Sequence, residues 1–404
     1  MIENQLTEEE KKAAKDAGFT LRTDYEPEPS IGAMRGGTVV PRGPITKEEF
    51  GNLPINEIAQ KLRNEWAPEK LSKQNTSDDF LNPLNAEGAG ELLREDIPNR
   101  LQDYIHNAPL FFERDVLDQH YTYSFLRGVQ EVLRGNKANA TEINWDNLIS
   151  LCLAIKESGK TKPFDNEKRE RDSFDAWLSG WSDVHSAMTD VLQELLSEER
   201  DSVNLDFLKY RENLFAIISY LLSCPDPIPA DEEPKTATMT TTSPGEKEQM
   251  VSDPYSMAIN TVRGRSFQAF VLFVYRDGKK FPLDEKVKIS TDLKQLYETV
   301  LGNEKTRALM FMFGHYLPSF YFRDKEWMEG LLSQIFPLEP EKKNLYTATW
   351  EGYLSTNLYE EIFFNEDVQK LYERGLALTE ADYPKQKHFK EPDEGIAVHL
   401  ALAF

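Results

Sequence analysis

Three observations predict an all-α fold. From Thr46 onward, apolar residues recur at helical spacing in almost every stretch. Strand signals, short alternating runs rich in β-branched residues, are nearly absent. Successive helical patterns begin roughly every 20 residues, so pairs of helices recur at the roughly 40-residue spacing of HEAT-like arrays. No residue signature repeats with that spacing. The expectation is therefore a HEAT/armadillo-like α-solenoid, a right-handed superhelix of helical pairs with irregular repeats.

Residues 1–45 hold a short charged helix candidate and then EPEPSIGAMRGGTVVPRGP, where proline and glycine come too often for a regular element. An extended or partly mobile arm is expected there. Residues 46–224 form the first helical half. ITKEEF opens it with Thr46 three residues before Glu49, the spacing of a capping box. INEIAQKLRNEW follows, then Asn85–His106 with a break at Pro98. Glu113–Leu133 carries Val116, Leu117, Tyr121, Phe125, Val129 and Leu133 on one face, with Gly135 placed to cap its end. Trp145–Ile155, Asp172–Leu196 and the nearly continuous apolar run Leu205–Leu222 complete this half. Residues 225–252, PDPIPADEEPKTATMTTTSPGEKEQMVS, read as a flexible loop or linker. Both flanks share one helical character, which favours a loop inside a single array over a boundary between two domains.

The second half, 253–404, starts with the most strongly patterned stretch, DPYSMAINTVRGRSFQAFVLFVY (Asp253–Tyr275). Asp253 is placed to cap a helix and Pro254 to occupy its first turn. Advancing about 100° per residue puts Val262, Phe267, Ala269, Phe270, Phe273 and Val274 on one arc, with Asn260, Thr261, Gly264 and Gln268 opposite. Arg263 projects from the middle of the apolar arc, so it must reach a rim or a carboxylate. Helices are expected next at Thr291–Leu301, Lys305–Leu317, Lys325–Phe336, Leu345–Leu354 and Glu360–Tyr372. The closing run GIAVHLALAF is apolar and uncapped, as expected of a chain that continues in a parent protein or of a surface that meets a partner.

With 47 basic and 69 acidic residues the net charge is −22, a field that repels phosphate backbones and anionic lipid. Nucleic acid is disfavoured as a partner. No run reaches the roughly 20 apolar residues of a membrane span, and the charged start lacks a secretory pattern, so a cytoplasmic protein off the membrane is expected. The two cysteines, Cys152 and Cys224, sit in apolar helical runs and read as buried hydrophobes.

Chemistry-bearing patterns are sparse. Ser158-Gly159-Lys160-Thr161 has the end of a phosphate-binding loop, but Ala154 stands where that loop needs glycine and the preceding LISLCLAIKE is helical. A glycine closing a helix accounts for it. Asp226 and Glu233 mimic a metal-nuclease pattern, which a proline-rich loop does not set in the required geometry. The six histidines and two cysteines show no zinc-ligand spacing, so no metal and no cofactor is expected. The polar candidates are Arg263, Arg265, Asn260 and Asp253. For the arginines, pairing with carboxylates of neighbouring helices is favoured over ligand binding.

DPYSMAINTVRGRSFQAFVLF resembles a run in the long C-terminal helical regions of large bacterial ATP-binding antiviral proteins of the STAND type. GPITKEEFGNLPINEIAQKLRNEW, TRALMFMFGHYLPSFYFRDKEWMEGLLSQIFP, WEGYLSTNLYEEIF and GIAVHLALAF fit the same pattern in order, over about residues 43–404. The resemblance implies a sensor or scaffold region whose nucleotide hydrolysis and effector chemistry belong to other domains. Arg263, Gly264 and Arg265 match the family's run, and no catalytic residue carries over. The expected function is non-enzymatic: a helical scaffold that binds protein partners or self-associates. The alternative, an all-α enzyme or nucleic-acid-binding module, requires a pocket with convergent, perturbed polar groups.

Overall fold

Polar side chains start many of the helices by taking the first backbone amides. The computed structural model describes residues 12, 39–76, 79, 81–135, 143–162, 178–197, 205–233, 235–236, 249–279, 289–379, 382–384 and 392–403. The chain divides into Met1–Val39, of which only Lys12 (helical, exposed) and Val39 are described, and Val40–Phe404. In the second unit, Thr46 and Glu49 make the predicted capping box of α1 (Lys47–Asn52). α2 (Ile55–Arg63) and α3 (Pro68–Ser72) follow. Asn85 caps α4 (Ala86–Asp96), Pro98 sits in the turn that ends it, and α5 is Leu101–His106. Asp118 caps α6 (Gln119–Arg134); α7 is Asp146–Thr161, α8 Trp181–Leu196, and α9 (Phe207–Leu222) is capped by Asp206.

Asp253 caps α10 (Pro254–Asn260), its carboxylate accepting from Ser256 N at 2.7 Å. α11 is Val262–Gly278 and α12 Thr291–Asn303. Thr306 caps α13 (Arg307–His315), α14 is Leu317–Arg323, and Asp324 caps α15 (Lys325–Ile335). α16 (Lys343–Leu354), α17 (Glu360–Phe363), α18 (Glu366–Leu376, capped by Asn365) and α19 (Pro392–Ala403) complete the order. The strands among the described residues are one antiparallel pair of two residues each, β1 (Lys235–Thr236) and β2 (Gln249–Met250).

The protein is all-α, and its helices pack mainly on those a few places away in sequence. α4, α6, α8 and α11 lie each on the next; α10 lies on α13, α13 on α16 and α16 on α19. A second row runs beside the first: α5 on α7, α7 on α9, α9 on α11, and α12 on α15. This neighbour-on-neighbour order is α-solenoid-like. Buried apolar side chains from Phe50 to Ile396 make one continuous core. The end of the N-terminal arm joins it as extended chain, Val40 N and Arg42 N donating to Leu81 O and Pro83 O at 2.9 and 2.8 Å. No helix among the described residues is long and apolar enough to cross a membrane.

Several boundaries differ from the sequence reading, each for a local reason. The single helix expected over Asp253–Tyr275 is two, parted at Thr261 (φ −115°, ψ 154°). The second helix restarts because Asp226 takes its opening amides, Val262 N at 3.2 Å and Arg263 N at 2.8 Å. α10 then folds against α11, so Gly264 is buried: a Cβ there would stand 2.0 Å from Ala258 O. The helix expected from Glu113 begins only at Gln119, after Asp115 adopts φ 61° and Asp118 supplies the cap, and Val116 is exposed. Gly135 ends α6 at φ −80° without turning left-handed. α7 runs on through Gly159, where Arg114 Nη1 donates to the carbonyls of Ser158 and Lys162 at 2.7 and 2.6 Å and so caps its negative end. Leu178–Gly180 is not helical, and α8 starts at Trp181; residues 172–177 of the expected helix lie outside the described residues. Leu317–Arg323 is a helix of its own, and Glu360–Tyr372 is divided where Asn365 caps α18.

The tightest crossing is α13 on α16. A Cβ on Gly314 would meet Thr349 O at 2.0 Å, and one on Gly352 would meet Phe311 O at 2.1 Å, so two backbones touch where glycine removes the side chains. Beside it Phe267 of α11 packs edge-on against Phe313 (4.9 Å) and close to Tyr297 and Phe320. Gly314→Ala and Gly352→Ala are each expected to lower unfolding free energy by about 1–3 kcal/mol through overpacking. Gly330→Ala in α15, with nothing within 4 Å, should instead add about 0.5–1 kcal/mol by helix propensity. Urea unfolding of the three variants checks this; equal midpoints would mean that the crossing is loose.

Candidate functional site

A groove of about 440 Å³ opens beside α11, bounded by the end of α9, the Pro225–Pro229 segment and the end of α12. Leu222, Pro227, Ile228, Leu296 and Val300 give it apolar walls; Arg263, Glu304 and Lys305 are its charged lining. The sequence reading has 225–252 as a flexible loop, yet Pro225–Glu233 is fastened at both ends. The Asp226 carboxylate accepts from Ser182 Oγ at 2.5 Å as well as from Val262 N. A 3-10 turn, Pro229–Glu232, then brings Glu232 to the start of α13, where it accepts from Arg307 N and Ala308 N at 2.7 and 2.8 Å. Burial raises the Glu232 carboxyl above its ordinary range, and those two amides oppose the rise.

Arg263 reaches the groove from α11. Its guanidinium pairs with Glu304, whose side chain is 1% exposed, while Nε donates to Leu222 O at 3.1 Å and Nη1 to Pro227 O at 3.3 Å. Glu304 also accepts from Lys305 N (2.9 Å), Thr306 N (2.7 Å) and Thr306 Oγ1 (2.6 Å). The lone pairs of this carboxylate are thus taken up by groups of the protein itself. Burial pushes the nearby Cys224 thiol up to about 12, so it carries no thiolate at neutral pH. Lys305 stands exposed at the rim.

Arg265 points away from this groove. Its Nη1 lies 3.0 Å from both Asp190 oxygens, and Arg127 holds the same carboxylate at 3.1 Å. Burial raises the Asp190 carboxyl while the two arginines pull it down. Asp253 is a buried helix cap, and the exposed Asn260 donates to Ser256 O at 2.8 Å within its own helix. The four sequence candidates therefore meet in no common site: two arginines join α11 to different neighbours, and the other two residues shape α10.

Sequence reasoning missed the partners Glu304, Asp190 and Glu232, and a second buried pair, in which Arg211 Nε meets Asp277 at 2.7 Å and Nη2 meets Asp292 at 2.8 Å. Only Glu304 carried a local signal, standing two residues before the capping Thr306. Also missed was Arg307, 6% exposed, whose Nη1 donates to Ser252 O at 3.3 Å while Nε and Nη2 meet no acceptor among the described residues. Burial lowers its guanidinium below the ordinary value.

Four of the five described histidines are held within the packing, and His106 is exposed. His120 Nδ1 accepts from Ser179 N at 3.1 Å, and His185 Nε2 meets Tyr220 OH at 3.1 Å. His315 meets Ser355, and His399 joins Tyr372 OH (2.6 Å) to Thr356 O (2.9 Å). His388 lies outside the described residues. No group of three or more His, Cys, Asp or Glu among those described is arranged to hold a metal. No family model, curated protein or solved structure matches the chain.

Arg263→Ala and Arg263→Leu are each expected to cost about 3 kcal/mol in urea unfolding, because Glu304 is left buried without its cation; two parental midpoints would show that the pair contributes nothing. His185 supplies a pH test. Burial lowers it to about 4, so between pH 6.5 and 4 the unfolded chain binds a proton that the native state refuses. Stability should fall by up to about 3 kcal/mol as pH drops through that window, and His185→Asn should lose less over the same range.

Proposed function

We propose that this chain is a non-enzymatic helical scaffold or sensor region of a larger bacterial defence ATPase, holding a protein partner or a second copy of itself. The reading starts from the resemblance of its central run to STAND-type C-terminal regions. Its rows of helices are taken as irregular HEAT-like pairs, and its setting as cytoplasmic. The observation that carries the proposal is how α11 is tied: Arg265 to α8, Asp277 to α9 and Arg263 to the residue that follows α12, each through a carboxylate–guanidinium pair. A displacement imposed on one of these helices is shared with the others, as a sensor relaying contact to an attached ATPase requires.

In this reading shape-complementary contact selects the partner, and rigid packing carries the signal. The test uses the purified 404-residue chain. Expected are no ATP or nucleic-acid turnover above the buffer rate, and either concentration-dependent self-association by mass photometry or retention of a defined protein from phage-infected lysate. Turnover by the purified chain, or a strict monomer that retains nothing, overturns the proposal.

A further inference from the structure

The start of α13 is capped by two carboxylates from outside the helix. Glu304 takes the amides of Lys305 and Thr306, and Glu232 takes those of Arg307 and Ala308, one on each of its oxygens, at 2.7 and 2.8 Å. Glu304 is locked in place by Arg263. Glu232 is held less firmly. It closes the 3-10 turn Pro229–Glu232, which contains no buried residue, and Ile228 before the turn and Glu233 after it are exposed. Among the described residues the Glu232 carboxylate is therefore the polar contact that holds this turn on α13. Its position does not satisfy it fully. Burial raises the carboxyl, the two amides and the Arg307 charge pull it back, and Glu304 adds to the rise.

Arg307 shows the complementary deficit. It is 6% exposed, and Nη1 donates to Ser252 O at 3.3 Å, while Nε and Nη2 meet no acceptor among the described residues. These two nitrogens form one edge of the planar guanidinium, the fork that takes both oxygens of a carboxylate. Glu351, Glu232 and Asp253 all attract the cation, yet none of them bonds to the fork. We propose that the start of α13 is a seat for an acidic side chain of a protein partner, and that Glu232 occupies it until the partner's glutamate or aspartate displaces it. Two observations carry this. The seat already holds a carboxylate, so exchanging one for another adds no charge there. The newcomer meets the same field that Glu232 meets, negative neighbours included. Glu232, moreover, uses two amides and leaves the Arg307 fork open. A carboxylate that is not tethered through the Pro229–Glu232 turn can engage the fork as well, and so gains bonds that the resident does not make.

The proposal rests on the scaffold reading for the existence of a partner, but its test is separate. Glu232→Ala empties the seat in the full chain and should lower the urea midpoint. Propionate at about 100 mM, the glutamate side chain as a free acid, should restore at least half of that loss, while the same concentration of chloride restores none. The parent should gain nothing from propionate. Arg307→Lys added to Glu232→Ala keeps the charge but lacks the fork, and should cut the restoration at least threefold. A labelled peptide of residues 225–235 is then titrated by fluorescence anisotropy. It should bind the Glu232→Ala chain at least tenfold more tightly than the parent, whose own Glu232 competes, and its Glu232→Gln form should bind at least tenfold more weakly. Glu232→Asp, a milder change that is one methylene shorter, should tighten peptide binding over the parent at least threefold. No restoration by propionate, an undiminished restoration with Arg307→Lys, or equal binding of the two peptides overturns the proposal. So does restoration by propionate without binding of the peptide, since a small free acid is then the occupant. All these outcomes leave the scaffold proposal standing, whereas turnover by the chain overturns that proposal and leaves a measured peptide affinity intact.

Discussion

Two arginines two residues apart on a buried helix need carboxylates in opposite directions, and much of the central packing follows from meeting that need. Arg263 and Arg265 emerge about 200° apart around α11, one toward Glu304 and the other toward Asp190. Desolvating a guanidinium costs several kcal/mol unless its donors are satisfied. α8 must therefore lie along one side of α11, and the turn between α12 and α13 along the other. The ion pairs add little net stability over apolar side chains of similar volume, but they specify which helices meet and in what register. Asp226 adds a third restraint by fixing where α11 begins.

The fold class was legible because the signals that set it are local. Helical periodicity, the capping box at Thr46 and Glu49, the break at Pro98 and the cap at Asp253 depend on residues within a turn of one another. What was hidden depends on residues far apart in the chain. The break at Thr261 answers to Asp226, the burial of Gly264 to the folding back of α10, and the extension of α7 to Arg114. The same holds at the groove. That Arg263 needs a partner was readable from its angular position, but the one local mark on Glu304, its place two residues before a helix-capping threonine, does not say which cation it meets. The Pro225–Glu233 segment reads as loop because its composition lacks apolar anchors, yet two of its four carboxylates, Asp226 and Glu232, act as anchors by taking the opening amides of helices.

Most polar groups inside the protein are engaged with one another. Histidines bond to hydroxyls and backbone, carboxylates to helix amides and guanidinium groups. Such groups are strongly oriented and already saturated, so they specify which elements meet and in what register. Arg307 departs from this pattern, with two nitrogens that meet no acceptor among the described residues.

The glycine crossing of α13 and α16 has a mechanical meaning. A contact made by side chains can yield through rotamer changes, but one in which carbonyl oxygens press on opposing main chain has no soft coordinate to give way. Under load these two helices should translate as one stiff beam. What bending there is between this pair and its neighbours then falls to contacts made through side chains, and compliance is graded from one joint to the next.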